Sequence, residues 1–290
     1  MYRQLSILVL AAALSAPGLA ASVTLAGLVD GDDGTAVDLD GSLPVTANWV
    51  IGAGIGQGDS RLEGEEFSAT SLRVRTDLQL GNVFAHAGAE KWKDSAQLEA
   101  TTLRAGLGWM AESGLAISAL FADRSLDLTY TTTVLGTTRE FDIGLDGTGV
   151  GGEIAWFGAT WSVGARFLDY NYGRNVDRIR AIRESADTGR FPRLQRLVAS
   201  VATRAAGAPD REMALLVMRQ FGRFNLAGDW QQQRDAVTRD RLNNVGVTLG
   251  VELSQRFVLD AIAGYTTGGT AGTVPWAGMA LTLRSATPAP

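Results

Sequence analysis

Leu242 to Thr267 reads LNNVGVTLGVELSQRFVLDAIAGYTT, two runs of alternating residues joined by a tight turn at Gln255-Arg256. Val245, Val247, Leu249, Val251 and Leu253 share one side of the first run, with Asn244, Gly246, Thr248, Gly250 and Glu252 on the other. In the second run Phe257, Leu259, Ala261, Ala263 and Tyr265 share a side, and Asp260 and Gly264 are among their alternates. A period of two makes both runs strands. A sheet with one face in water would set Lys, Glu and Thr opposite the apolar side. Glycine and small polar residues stand there instead, and the arrangement recurs almost to the C-terminus. An outward apolar band around a polar interior is the pattern of a closed antiparallel transmembrane β-barrel. Phe257 to Tyr265 would cover about 26 Å at roughly 3.3 Å per residue, or about 20 Å of membrane once the strand is tilted by some 40°.

With tight turns as punctuation, strands are expected near 22–31, 36–43, 46–57, 68–81, 83–93, 98–111, 115–130, 138–157, 159–173, 212–222, 224–236, 241–254, 256–268 and 274–284. That is an all-β chain of about fourteen strands, or twelve if residues 22 to 43 do not join. Very short turns fall at Pro44-Val45, Gly81-Asn82, Glu112-Ser113-Gly114, Gly158-Ala159, Gly222-Arg223 and Gln255-Arg256. Longer polar loops fall at 32–35, 58–67, 94–97, 131–137, 174–211, 237–240 and 269–273, and the two classes strictly alternate. Short periplasmic turns, longer extracellular loops and an even strand number characterise bacterial barrels. Trp49, Phe84, Trp109, Trp156, Trp161, Phe221, Phe224 and Phe257 all lie close to short turns, as an aromatic girdle at the periplasmic interface requires.

On this alternation the chain resembles the broad class of bacterial outer-membrane β-barrel proteins, porin-like ones included. The resemblance covers most of the sequence and rests on pattern rather than on a family-specific motif. It implies residence in the outer membrane, contact with outer-membrane lipid and lipopolysaccharide, insertion by the barrel assembly machinery, and passage of small hydrophilic solutes. Such proteins commonly finish on an aromatic, whereas here Met279, Leu281 and Leu283 are followed by Arg284 and a short tail, 285–290.

The N-terminus fits an exported chain. Arg3, the apolar run Leu5 to Leu14 and the small residues ending Gly18-Leu19-Ala20 read as a signal peptide spanning 1–21, cleaved after Ala20 or Ala21. No later segment reaches the roughly 20 apolar residues a membrane helix needs, so membrane association falls to the barrel domain, 22–284. Cysteine is absent, which excludes thiol chemistry and Cys-type metal sites. Without Arg3 the charge of −5 becomes about −6, and an acidic chain with dispersed basic residues gives no support to nucleic-acid binding.

If the apolar alternates face lipid, the inward set includes Asp38, Asp40, Arg73, Arg75, Arg104, Arg166, Asp229, Glu252 and Asp260. Arginines dominate strands from 68 to 111 and position 166, carboxylates those from 225 to 260 and positions 38 and 40. Opposed charged walls would set up a transverse field that sorts solutes by polarity. The competing reading is that these charges pair and satisfy one another, since buried charges are stable mainly when paired. Fourteen strands should leave an aqueous lumen unless something fills it.

Between Arg174 and Arg211 the period changes to about 3.6. Leu194, Leu197, Val198, Val201, Ala202 and Ala205 form an apolar stripe, with Arg193, Arg196 and Arg204 off it. The segment holds nine arginines against four carboxylates, a net of +5, leaving about −11 elsewhere. This helical insert, on the extracellular side by parity, is read as a plug or gate in the lumen, as a cover whose arginines bind lipid phosphate, or as a loop without a specific partner.

No constellation for a chemical step stands out. The lone histidine, His86, is followed two residues on by Gly88, not by the serine of an outer-membrane lipid hydrolase, and it lies at the periplasmic end, away from where an omptin-like dyad would sit. Asp30, Asp32, Asp33, Asp38 and Asp40 read as a solvated acidic stretch before a Ca²⁺ site. Gly147, Gly149, Gly151 and Gly152 read as a bend or bulge in a strand, which would explain a flip of apolar phase between Leu145 and Val150. The expectation is a non-enzymatic barrel without metal or cofactor, acting as a porin-like passive channel, able to oligomerise. A non-conducting structural or adhesion barrel is the alternative.

Overall fold

A computed structural model describes residues 21–285 except 32–33, 63–64, 96–97, 135–136, 174–175, 177–207, 237 and 269–271. The first half comprises β1 (Ser22–Asp30), β2 (Thr35–Thr46), β3 (Trp49–Leu62), β4 (Glu65–Leu80), β5 (Val83–Asp94), β6 (Leu98–Met110) and β7 (Leu115–Val134). The second comprises β8 (Thr137–Phe157), β9 (Trp161–Asn171), β10 (Pro209–Phe221), β11 (Phe224–Asp235), β12 (Arg241–Glu252), β13 (Phe257–Gly268) and β14 (Thr273–Arg284). Each strand pairs antiparallel with its sequence neighbours, and β1 closes on β14 from Ser22 opposite Arg284 to Asp30 opposite Trp276. Residues 22 to 43 therefore join the sheet, and the barrel has fourteen strands.

Burial alternates along the strands with the large apolar residues on the outside. Leu25, Ile55, Leu72, Leu107, Val150 and Met279 are all more than half exposed, as a continuous belt around the barrel. In water each such side chain would forgo about 1.5–3 kcal/mol of burial. A belt of dozens could not be borne by a net stability of about 5–15 kcal/mol, so the outer face is built for hydrocarbon. Trp49, Trp109, Trp156, Trp161, Phe221, Phe224 and Phe257 are exposed near the short turns and form the girdle. Trp49 shows the chemistry of that level: its Nε1 donates to Thr76 Oγ1 at 2.7 Å while the ring faces outward. Phe84 departs from the expectation. Val83 takes the outward position on β5, and Phe84 lies inside against Gly108.

Several boundaries move. The turn expected at Pro44-Val45 is displaced to Ala47-Asn48, because a bulge between Pro44 and Thr46 carries β2 past the proline. Proline is tolerated at such a bulge, where its missing N–H is not needed by the ladder. The loops expected at 58–67 and 131–137 are largely strand, since β3–β4 pairing runs to Leu62 opposite Glu65 and β7–β8 pairing to Val134 opposite Thr137. Strand β10 begins at Pro209, inside the expected insert.

The bend expected at Gly147–Gly152 is absent, because β7 and β8 stay in unbroken register from Leu115 opposite Trp156 onward. What changes at that level is the lining. Leu145 and Leu126 face inward at 1% exposure each, while Val150 faces outward. No helical insert occurs among the described residues, and Arg193, Arg196, Leu197, Val201 and Arg204 lie outside them, as do the signal-peptide residues 1–20 and the tail from 286.

Candidate functional site

The inner wall is built by placing large side chains over glycine. On β3, Gly52, Gly54 and Gly56 face inward, and no side chain of their own competes for the space above them. Arg75 lies over Gly52, where an added Cβ would come 2.7 Å from Nε, and Asp40 and Arg73 lie over Gly54. This bare strand lets Arg73, on β4, reach across to β2. Its Nη2 donates to Asp40 Oδ2 at 2.8 Å and to Asp38 Oδ1. The acidic strand β2 therefore stands two places from the basic β4 and is neutralised by it locally, rather than opposing it across the lumen. Asp30, the other described member of the acidic stretch, accepts from the Gly34 amide at 2.7 Å in the β1–β2 turn.

A second group crosses the interior. Arg104 on β6 meets Glu212 on β10 at 3.5 Å, and three strands separate them along the shorter way round. Glu90, Arg124, Arg166 and Gln231 join them around a cavity of about 30 Å³, room for about one or two water molecules. Arg166 faces Glu153 directly across the β8–β9 ladder.

Toward the loop end the lining turns apolar. Leu98, Ala100, Leu126, Leu145, Tyr170 and Tyr172 are buried together, with Trp92 packed against them. Here too glycine makes the room: an added Cβ at Gly149 would come 2.8 Å from the Tyr170 ring, and one at Gly147 2.5 Å from that of Tyr172. The two rings stack with centroids 6.2 Å apart. Val176 and Ala208, which bracket the undescribed stretch 177–207, are buried in the same layer. Asp210, at the start of β10, accepts from Arg234 Nε at 2.7 Å and from Arg239 Nη1. Arg239 holds a left-handed φ of 65° in that contact.

Near the short turns, Glu252 and Arg284 pair at 3.3 Å, Asp260 lies over Gly250 and Asp229 over Gly246. His86 faces inward above Gly106, opposite Asp77 across β4–β5. All nine wall residues singled out from the sequence thus face the interior. They do not form one site: Asp38, Asp40 and Arg73 form one group, Arg104 and Arg166 belong to another, and Glu252 pairs with Arg284 near the short turns. Sequence reading missed Arg124, Glu212, Tyr170 and Tyr172. Parity would have found three of them, since Arg124 shares a face with Ser118 and the tyrosines share one with Arg166. Glu212 was concealed by apolar residues on both sides of its strand.

No protein-family model matches the chain, and no curated protein matches it in sequence. Solved structures do match in fold. The CymD monoaromatic hydrocarbon channel is similar over 94% of this chain and 90% of its own, with a TM-score of 0.56 at 9% identity. The P. putida toluene transporter TodX is similar over 94% of this chain and 91% of its own, with a TM-score of 0.52 at 9% identity. The chain folds as an outer-membrane β-barrel. The exposed apolar belt of this outer-membrane barrel belongs in the bilayer of the outer membrane, and the groups around Arg73 and Arg104 line the inside of the cylinder.

Proposed function

We propose that this outer-membrane barrel is a passive channel for small hydrophilic solutes, with its narrowest described point at the group around Arg104 and Glu212. The observation that carries this reading is a closed wall of fourteen strands whose inner face is charged below its apolar loop-end layer, with Arg104 meeting Glu212 across the lumen. No chemical step is part of it. The wall's own side chains form the constriction, and the basic insert acts above it as a gate. Val176 and Ala208, the described residues on either side of the insert, are buried within the inner apolar layer.

Planar-bilayer recording tests both parts. The intact barrel should give small, ion-selective steps, enlarged in Arg104→Ser/Glu212→Ser and enlarged again when 178–206 is deleted. Silence in all three proteins would reject conduction and leave a structural or adhesion barrel.

A second reading takes its support from that same apolar layer. Trp92, Leu126, Leu145, Tyr170 and Tyr172 offer a solute van der Waals contact rather than charge, and two barrels of this fold are named for a monoaromatic hydrocarbon and toluene. Under this reading toluene would quench Trp92 fluorescence saturably, and Trp92→Phe would remove the signal.

A further inference from the structure

Arg219 faces outward from β10, two residues from Phe221 and directly across from Trp161 of β9. Its guanidinium carbon lies 4.3 Å from the centre of the Phe221 ring and 4.8 Å from that of Trp161. Both rings belong to the girdle at the short turns, and Phe224 of β11 pairs with Phe221 beside them. An arginine on the lipid side is costly at the bilayer centre and tolerated at its edge, so Arg219 marks the level where headgroups begin.

The loop end handles outward arginines differently. Arg211 stacks on Phe167 at 5.5 Å and also meets Asp169 at 3.2 Å, while Arg234 meets Asp210 at 2.7 Å. Each has a carboxylate from the protein itself. Arg219 has aromatic rings of the same kind but no ion pair with a described carboxylate. Rings engage the face of a guanidinium and leave its in-plane N–H groups for an acceptor. Arg223, exposed in the adjoining Gly222-Arg223 turn, places a second cation at the same edge. Further into the membrane the outward neighbours are Val163 and Leu215, both exposed and suited to an acyl chain.

We propose that Arg219, with Trp161 and Phe221, holds the phosphodiester of a glycerophospholipid in the leaflet on the short-turn side, its acyl chains running along Val163 and Leu215. A phosphodiester is a monoanion whose two free oxygens match the guanidinium fork, and the apolar strip beyond it favours a lipid over a free ion.

Native mass spectrometry of the intact barrel in detergent, with dioleoylphosphatidylglycerol added, reads the site directly. The unaltered protein should retain one tightly held lipid, and Arg219→Gln about tenfold less. Arg211→Gln should retain as much as the unaltered protein, and dioleoylglycerol, which lacks the phosphate, should not be held. Trp161→Leu, which keeps the cation and removes one ring, should also weaken retention and serves if Arg219→Gln does not fold. Equal retention by a folded Arg219→Gln or Trp161→Leu barrel would overturn the proposal. So would displacement of the lipid by millimolar inorganic phosphate, which would make this an anion site rather than a lipid site.

Discussion

Strands β3 and β8 both turn glycine toward the lumen, β3 at Gly52, Gly54 and Gly56 and β8 at Gly147 and Gly149, yet the groups laid over them differ in kind. Over β3 lie Asp38, Asp40, Arg73 and Arg75, a charged group closed by the contacts of Arg73 to both carboxylates. Over β8 lie the rings of Tyr170 and Tyr172, backed by Leu126 and Leu145. A bare strand thus specifies where neighbouring side chains lie but not what they are. Near β3 the filling is electrostatic and directional, and near β8 it is apolar and set by shape.

Substitutions that fill the glycine space should separate the two, and unfolding in urea from vesicles gives the scale. Gly54→Leu should have the largest effect, a loss of about 3 kcal/mol, because its side chain both overpacks the wall and separates Arg73 from Asp40. Gly149→Leu should cost about 2 kcal/mol, the ordinary cost of overpacking, since a displaced tyrosine ring leaves no charge unpaired. If Gly149→Leu proved the more damaging, the charged wall would be the more adaptable one and the distinction would reverse.

Arg73→Met should lose about 1–2 kcal/mol, an amount reduced because Arg73, Asp38 and Asp40 keep 15–25% of their side-chain surface in contact with solvent. Adding Asp38→Asn to Arg73→Met should restore part of that loss by removing one of two neighbouring carboxylates. Tyr172→Phe gives the matching change at β8: its hydroxyl has no hydrogen-bond partner among the described residues, so stability should hold or rise slightly. Trp49→Phe, which removes the bond to Thr76 and trims the ring at the girdle, should lower the unfolding free energy by only about 0.5–1 kcal/mol.

Much of this could be read from the chain. Alternation in β12 and β13 decided which side chains face lipid, and because a barrel carries one period of two from end to end, that decision extended to Asp38, Arg104 and Asp260 alike. The turn at Gly81-Asn82 was legible because a positive φ of 61° favours glycine. The turn after β2 was not, because a bulge absorbs Pro44 where an isolated proline would signal a stop. The apparent phase flip on β8 was misread for a related reason. Hydropathy reports the polarity of a side chain, not its direction, and inside this barrel Leu145 is buried on the lumenal side.

By itself the sequence determined the all-β class, most of the strands and their outward faces, which follow from local period and turn chemistry, while strand pairing decided fourteen strands over twelve and turned most of the loops expected at 58–67 and 131–137 into strand. Only the closed sheet decided which inward residues meet. Whether Arg73 finds Asp38 two strands away, or Arg104 finds Glu212 across the lumen, depends on strand order and register around the cylinder. Those distances are fixed by pairing between residues far apart in the chain, and no local pattern encodes them.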